Sequence, residues 1–366
     1  MFKFEELYQV ELEITNNCQA SCPMCARNIH GGIENPNLKI TDWSLQDFYD
    51  IFDLQTLKQV KKFLFCGSFG DPVINPNFLK MIEYIGKHHP TAFVVIHTNG
   101  SLQKKEWWKN LADYLPDNHQ VLFALDGIDQ KTHELHRIGT SYNKVIENAR
   151  CFIENGGRAV WQFIRFDHNS HQVEEASQLA EKYNFKSFIV KDTRRFDKDS
   201  FDVVDKKGKK AHILKPTEGN RDRIVNGDII KETEEKWSQS TDIFCYAKEA
   251  KSIYINSEKT VIPCCIKASF LEMYFGKKIY IDNNLFNTDF TMTGYGEKIQ
   301  KQIIDILDEI GGKKFLDARN GIKQIIDSDE WQTIWDKKWK TCGSIACCVM
   351  CSKDSPFIKI GDQFNE

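Results

Sequence analysis

Short runs of Val, Ile, Leu and Phe recur through the first half of the chain, and stretches with helical periodicity separate several of them. The runs QVELEI (9–14), KFLFC (62–66), AFVVIH (92–97), QVLFAL (120–125), AVWQFI (159–164) and SFIV (187–190) have the make-up of buried strands. Between them, PNFLKMIEYIGKHH (76–89), YNKVIENARCFIENGG (142–157) and HQVEEASQLAEKY (171–183) read as amphipathic helices. In the last of these Val173, Ala176, Leu179, Ala180 and Tyr183 share one face, and the second ends at Gly156-Gly157 as a C-cap. Six β-then-α repeats predict a parallel sheet with right-handed crossovers. Six is short of the eight of a closed barrel, so the expected fold is α/β, an open, partial (β/α)6 barrel over residues 1–192.

The pattern then changes. Residues 193–240 are polar, charged and weakly periodic, and read as a bridging segment. SIYINSEKTVIPCC (252–265) predicts two short strands around a polar turn at Asn256 to Lys259. Residues 296–340 read as helical, with Trp331, Trp335 and Trp339 repeating on one face as a packing stripe. Residues 241–366 are therefore expected to form a smaller C-terminal domain with a helical insertion.

Composition narrows the class. In 366 residues, 41% hydrophobic and 12% aromatic content suffices for a packed core. A net charge of −3 lacks the basic excess of a polyanion-coating protein, so no nucleic-acid partner is expected. The acidic N-terminus MFKFEELYQVELEIT has no apolar core of a secretory signal, and no apolar run reaches membrane-spanning length. A cytoplasmic location follows, where twelve cysteines favour metal ligation or redox chemistry over disulfides. Cys66 and Cys151 stand apart and read as small buried hydrophobes; the rest gather at 18–25, 245–265 and 342–351.

Working groups in parallel β/α folds sit at the carboxyl ends of strands. The three-cysteine loop follows strand 1, GSFGDP (67–72) follows strand 2 and TNGS (98–101) follows strand 3. Asp126-Gly127 follows strand 4, Arg165, Asp167 and Asn169 follow strand 5, and Lys191 and Asp192 end strand 6. All six fall on one edge. Cys18, Cys22 and Cys25 form C-x3-C-x2-C with no fourth cysteine nearby. A structural zinc site would need His30 as its fourth ligand. A [4Fe–4S] cluster held by three thiolates would leave one iron open to an external molecule. His30-Gly31-Gly32 reads as a loop closing that pocket.

This cysteine motif directly after the first strand resembles the radical S-adenosylmethionine (radical SAM) enzymes, over roughly residues 8–192. The resemblance implies that Cys18, Cys22 and Cys25 hold a [4Fe–4S] cluster whose fourth iron is chelated by SAM. SAM is then cleaved reductively to a 5′-deoxyadenosyl radical that abstracts hydrogen. SFGDP looks like the family's glycine-rich stretch that holds the SAM ammonium, giving Gly67, Ser68, Gly70 and Asp71, with Asp71 where Glu is usual. HTNGS makes Thr98 and Asn99 candidates. FALDG resembles the S-x-D-G stretch; Asp126 matches and Ala124 replaces the serine. Arg137 in THELHRIGT matches an arginine that pairs with the SAM carboxylate, and Met24 occupies a position near adenine. Gln162, Arg165 and Asn169 are further candidates.

Cys245, Cys264 and the terminal CGSIACCVMC resemble the auxiliary-cluster region of the SPASM and twitch groups. The resemblance implies one auxiliary [4Fe–4S] cluster on Cys245, Cys264, Cys348 and Cys351, with Cys265, Cys342 and Cys347 as spare thiols. The expected function is hydrogen abstraction from a peptide or small-molecule substrate, leading to dehydrogenation, epimerisation or cross-linking. An external electron donor such as flavodoxin or ferredoxin would serve it. Because the first strand starts at Gln9, no leader-binding domain is expected ahead of it, which lowers the peptide reading. The alternatives are methyl or aminocarboxypropyl transfer from SAM on the same fold, or a non-enzymatic zinc-binding module. No catalytic acid or base is legible.

Overall fold

The computed structural model describes residues 1–193, 195–196, 199–218, 243–271, 278–281, 284–287, 296–340 and 344–351. Six strands carry the barrel: β1 (Gln9–Leu12), β4 (Lys62–Phe65), β5 (Phe93–Thr98), β6 (His119–Ala124), β7 (Ala159–Arg165) and β8 (Ser187–Asp192). They pair in parallel in that order, as the sequence predicts. Among the helices between them are Phe78–His88, Tyr142–Glu154 and Val173–Lys182, close to the predicted spans. The chain turns at Gly156 with φ +91°, the left-handed conformation of a helix C-terminus.

Strand alternation divides the apolar residues into two layers. Val10, Leu12, Phe63, Phe65, Val94, Ile96, Val121, Phe123, Trp161 and Phe163 point outward and bury themselves under the helices. Val95, Leu122 and Val160, with Leu64, Phe93 and Ile189, point inward and plug the floor of the barrel. By the same alternation the lumen above this floor is faced by Glu11, Cys66, His97, Gln162 and Lys191. A polar chamber thus opens toward the strand ends that carry the loops.

Two regions differ from the sequence expectation in an instructive way. Within the segment read as a bridge, β9 (Phe201–Val204) and β10 (Lys210–Leu214) form an antiparallel hairpin. Phe201, Val203 and Leu214 bury themselves with Met24, Phe166 and Phe196, while charged neighbours face solvent. Half the hairpin is polar because only one face is covered, which hid it among the charges. The predicted hairpin is β11 (Ser252–Ile255) and β12 (Val261–Ile262), turning at Lys259 with φ +66°. β11 pairs in parallel with β1, so this hairpin extends the barrel sheet on its free edge. The helices Gly296–Ile310, Ile322–Ile326 and Asp329–Lys340 pack onto the barrel's outer core, with Trp331 and Trp335 fully buried. Two short antiparallel pairs complete the described strands: β2 (Asn28–Ile29) with β3 (Ile33–Glu34), and β13 (Lys278–Ile281) with β14 (Asn284–Asn287).

Candidate active site

Leaving β1, the chain runs into the three-cysteine loop. It turns tightly at Cys22–Cys25, where the Cys25 N–H donates to the Cys22 carbonyl at 3.0 Å. The Ser21 N–H donates to the Ile138 carbonyl at 2.8 Å, and Arg27 Nη1 donates to the Asn16 carbonyl at 2.6 Å. All three thiols are free and partly exposed. Burial raises the Cys18 pKa, and Asp71 and Cys22 add to it; burial pushes Cys22 up to about 11 against the pull of Arg137. The three sulfurs therefore lie near one another, in a place where a bound cation would be welcome. The β9–β10 hairpin covers the loop: the Val204 N–H donates to the His30 carbonyl at 2.9 Å, and the His30 ring stacks on Phe201 at 4.4 Å. At Gly32 a Cβ would sit 1.9 Å from the Asp205 carbonyl oxygen, so the close approach of loop and hairpin needs glycine.

The loops after β4 and β5 meet this one from the side. Gly70 lies so close to the end of strand 1 that a Cβ would be 1.9 Å from the Thr15 carbonyl oxygen. That approach brings the Asp71 N–H onto the Asn17 carbonyl at 2.9 Å. The Asp71 carboxylate accepts from Thr98 Oγ1 (3.0 Å), from the Asn99 N–H (2.7 Å) and from Asn99 Nδ2 (2.5 Å). Burial pushes its pKa up to about 6, against the bonds from Asn99, Val73 and Thr98. Asn99 Nδ2 in turn lies 3.7 Å from Cys18 Sγ, and Gln19 Nε2 donates to Asn99 Oδ1 at 2.7 Å. Asp71, Thr98, Asn99 and Cys18 thus form one connected patch.

A second patch forms after β6. Asp126 is fully buried and accepts from Arg137 Nε (2.5 Å), His136 Nδ1 (2.8 Å) and the Ile164 N–H (2.7 Å). Burial alone would raise its pKa, but Arg137 and His136 hold it well below the usual carboxylate range. The Arg137 charge also acts on Cys22, so the guanidinium stands between Asp126 and the cysteine loop. Asn169 Nδ2 donates to the Asp126 and Ile164 carbonyls, a bracing role for the turn after β7.

The other predicted residues are placed less centrally. Met24 is buried in the apolar cluster under the hairpin, its carbonyl accepting from Arg195 Nη1 at 2.6 Å. Gly67 packs on Gly70. Ser68 turns toward the C-terminal region, where Tyr254 Oη donates to it at 3.3 Å and Ser269 Oγ at 3.2 Å. Arg165 is taken up by Asp192, and Gln162 is half-buried in the lumen wall. Cys66 is partly exposed beside Glu11 and Glu13, and Cys151 donates to the Lys105 carbonyl at 3.4 Å. Sequence reasoning did not single out Gln19 or Arg195: Gln19 is an unspecified position inside the cysteine motif, and Arg195 stands in no distinctive motif.

The model of the radical SAM superfamily matches residues 12–190, from the end of β1 to β8. The barrel belongs to the radical SAM superfamily. That family uses a [4Fe–4S] cluster and SAM. A tungsten-containing aldehyde ferredoxin oxidoreductase cofactor-modifying protein from Pyrococcus furiosus is 31% identical over 121 residues. This match covers 31% of the chain and 30% of that protein, so the chain spans under a third of the relative's length. Two solved structures share the fold at low identity. One is anSMEcpe with bound AdoMet and Kp18Cys peptide (TM-score 0.53, 12% identity, 98% of this chain and 95% of that one). The other is Streptococcus suis SuiB bound to S-adenosylmethionine (TM-score 0.50, 14% identity, 93% and 76%).

Beyond this radical SAM barrel lies the second cysteine set. Cys245 precedes a short helix, Cys264 follows β12, and the helix Ile345–Cys351 brings Cys347 and Cys351 onto one face, four residues apart. Cys347 and Cys264 act on Cys245, and all three act on Cys351. Cys348 sits one residue round the helix and is fully buried; Cys342 lies outside the described residues. Burial pushes Cys245 up to about 12 and Cys264 up to about 11. Cys347 differs: burial alone would raise it, but Lys267 and bonds from Ser344 and Trp339 lower it. Among the described residues, no three or more His, Cys, Asp or Glu side chains converge on a point that one metal ion could fill. A cluster makes no such demand, because its thiolates attach to different irons.

Proposed function

We propose that this protein is a radical SAM enzyme that abstracts hydrogen from a small-molecule or peptide substrate, with a second [4Fe–4S] cluster as electron acceptor. The observation that carries this reading is the bracketing of the cysteine loop: the Asn99 amide stands at Cys18 and the Arg137 guanidinium beside Cys22. Three free thiols on one covered loop fit a cluster with one open iron. When bound, cluster and SAM supply a 5′-deoxyadenosyl radical able to take hydrogen from an unactivated C–H bond.

The chain's own residues position and shield. Cys18, Cys22 and Cys25 would hold the cluster. Asp71 already accepts several hydrogen bonds, so it would act on SAM through Thr98 and Asn99, whose orientation it fixes. Arg137 is anchored through Nε to Asp126, leaving the rest of its fork for the SAM carboxylate. The β9–β10 hairpin covers the His30–Gly32 end of the loop, and Met24 lies beneath it. Substrate would enter the polar lumen beside His97, Gln162 and Lys191. Burial lowers the His97 pKa to about 4, so that ring is neutral at physiological pH.

Cys245, Cys264, Cys347 and Cys351 supply four thiols, enough to ligate every iron of a second cluster. Full ligation favours electron acceptance over substrate chelation, and hence an oxidation. The name of the Pyrococcus relative, a cofactor-modifying protein, favours a small-molecule substrate.

Iron and sulfide content of the anaerobically reconstituted chain tests the reading. About eight irons per chain are expected, and about four after Cys18, Cys22 and Cys25 are changed to Ala. Zinc without sulfide refutes it. A methylated product refutes hydrogen abstraction as the outcome and favours group transfer.

A further inference from the structure

Lys267 stands in the helix after Cys264 and is 2% exposed. Its Nζ donates to Ser344 Oγ at 2.7 Å and lies 4.9 Å from the centroid of the Trp335 ring. Around it stand Cys347, Cys264 and Cys245, the groups that act on it most strongly in favour of its charge. On the other side, Trp339 Nε1 donates to Cys347 Sγ at 3.4 Å. The Trp335–Trp339 half of the tryptophan stripe thus does more than pack: one ring seats the ammonium and the next donates to a thiol.

A buried ammonium is strongly unfavourable unless an anion compensates it. The sulfurs around Lys267 are those that would ligate the second cluster, and the cluster's charge would compensate it. A [4Fe–4S] cluster with four thiolates is anionic, and reduction adds one more negative charge. A fixed cation and an N–H aimed at a ligating sulfur both favour the reduced form.

We propose that Lys267 is the built-in counter-charge of the second cluster, and that with the Trp339 N–H on Cys347 it raises that cluster's reduction potential. The inference rests on the reading of the second cysteine set as a cluster site. The step concerned is a one-electron reduction, with the electron supplied by dithionite in the test, and no bond is made or broken.

The test uses the full chain with Cys18, Cys22 and Cys25 changed to Ala, so that the second cluster alone gives a signal. Its midpoint is read by redox titration followed by electron paramagnetic resonance, with Lys267 intact and with Lys267→Met, Lys267→Arg and Trp339→Phe. Lys267→Met is expected to disfavour reduction at least tenfold, a fall of about 59 mV for one electron. Lys267→Arg should recover most of this, and Trp339→Phe should shift the midpoint in the same direction by less. Iron and sulfide content should be unchanged. An unshifted midpoint in a fully loaded Lys267→Met overturns the proposal. Should that variant load no cluster, an unshifted Trp339→Phe overturns it instead. Absence of iron and sulfide from the parent triple variant overturns the cluster reading itself, a separate result from an unshifted midpoint.

Discussion

Asp126→Asn is the perturbation whose outcome the structure fixes most tightly. The carboxylate is fully buried, and Arg137 and His136 both donate to Oδ2. The Arg137 side chain is itself only 13% exposed. An amide removes the negative charge while leaving the cation in place, and breaking a buried pair from one side costs about 3–5 kcal/mol. That is a large part of the roughly 5–15 kcal/mol that holds a typical domain folded. The assay is anaerobic urea unfolding of the metal-free chain, followed by tryptophan fluorescence. The double variant Asp126→Asn/Arg137→Met should lose less than the sum of the single losses, with a coupling of about 1 kcal/mol or more. The pH dependence has a definite sign. Asp126 is held below its ordinary range, so its stabilisation is complete above the ordinary carboxylate pKa and is lost as pH falls through the folded-state value. Wild type should therefore lose this contribution in acid and Asp126→Asn should not. A cost under about 1 kcal/mol, or strict additivity, would refute the reasoning.

Three further outcomes are expected. Gly70→Ala should disorder the contact of the glycine loop with strand 1, since its Cβ would fall 1.9 Å from the Thr15 carbonyl oxygen; a lowered melting temperature and weakened SAM binding by calorimetry would register it. Glu11 is 4% exposed, and burial pushes its pKa up to about 7. The folded chain thus holds this proton more tightly than the unfolded one, and stability falls as pH rises from the ordinary carboxylate range to about 7. Glu11→Gln should flatten that fall, gaining on wild type above neutrality in denaturation curves taken across pH. Phe201→Ala should cost about 3–5 kcal/mol if its site cannot collapse, and should speed oxygen damage to the first cluster, seen as faster bleaching in air.

The barrel was legible because most of its strands are apolar on both faces near the floor and appear as short apolar runs, the first run with its alternating Glu11 and Glu13 being the exception. Asp71, Thr98, Asn99 and Asp126 were legible as candidates because loop positions at strand ends are set by the repeat, and Arg137 only through the resemblance of THELHRIGT to a segment of the radical SAM family. Their pairings were not, since the Asp71–Asn99 and Asp126–Arg137 contacts depend on how separate loops close on one another. The β9–β10 hairpin was missed because its charged outer face masks the alternation of Phe201 and Val203. Cys347 and Cys348 were not separable as ligands in the sequence, because residues three apart and four apart from Cys351 on a helix both share its face. Lys267 carried a faint signal, three residues beyond Cys264, that gains meaning only once Trp335 and Ser344 are seen to seal it from water.

The central claim concerns what the cysteine loop does with SAM. The direct measurement is 5′-deoxyadenosine, detected by mass after the reconstituted chain is given SAM and dithionite without oxygen. The account predicts 5′-deoxyadenosine from wild type, none when Cys18, Cys22 and Cys25 are Ala, and a sharp fall for Arg137→Met. Intact SAM in the wild-type reaction, with the first cluster loaded and reduced, would contradict it.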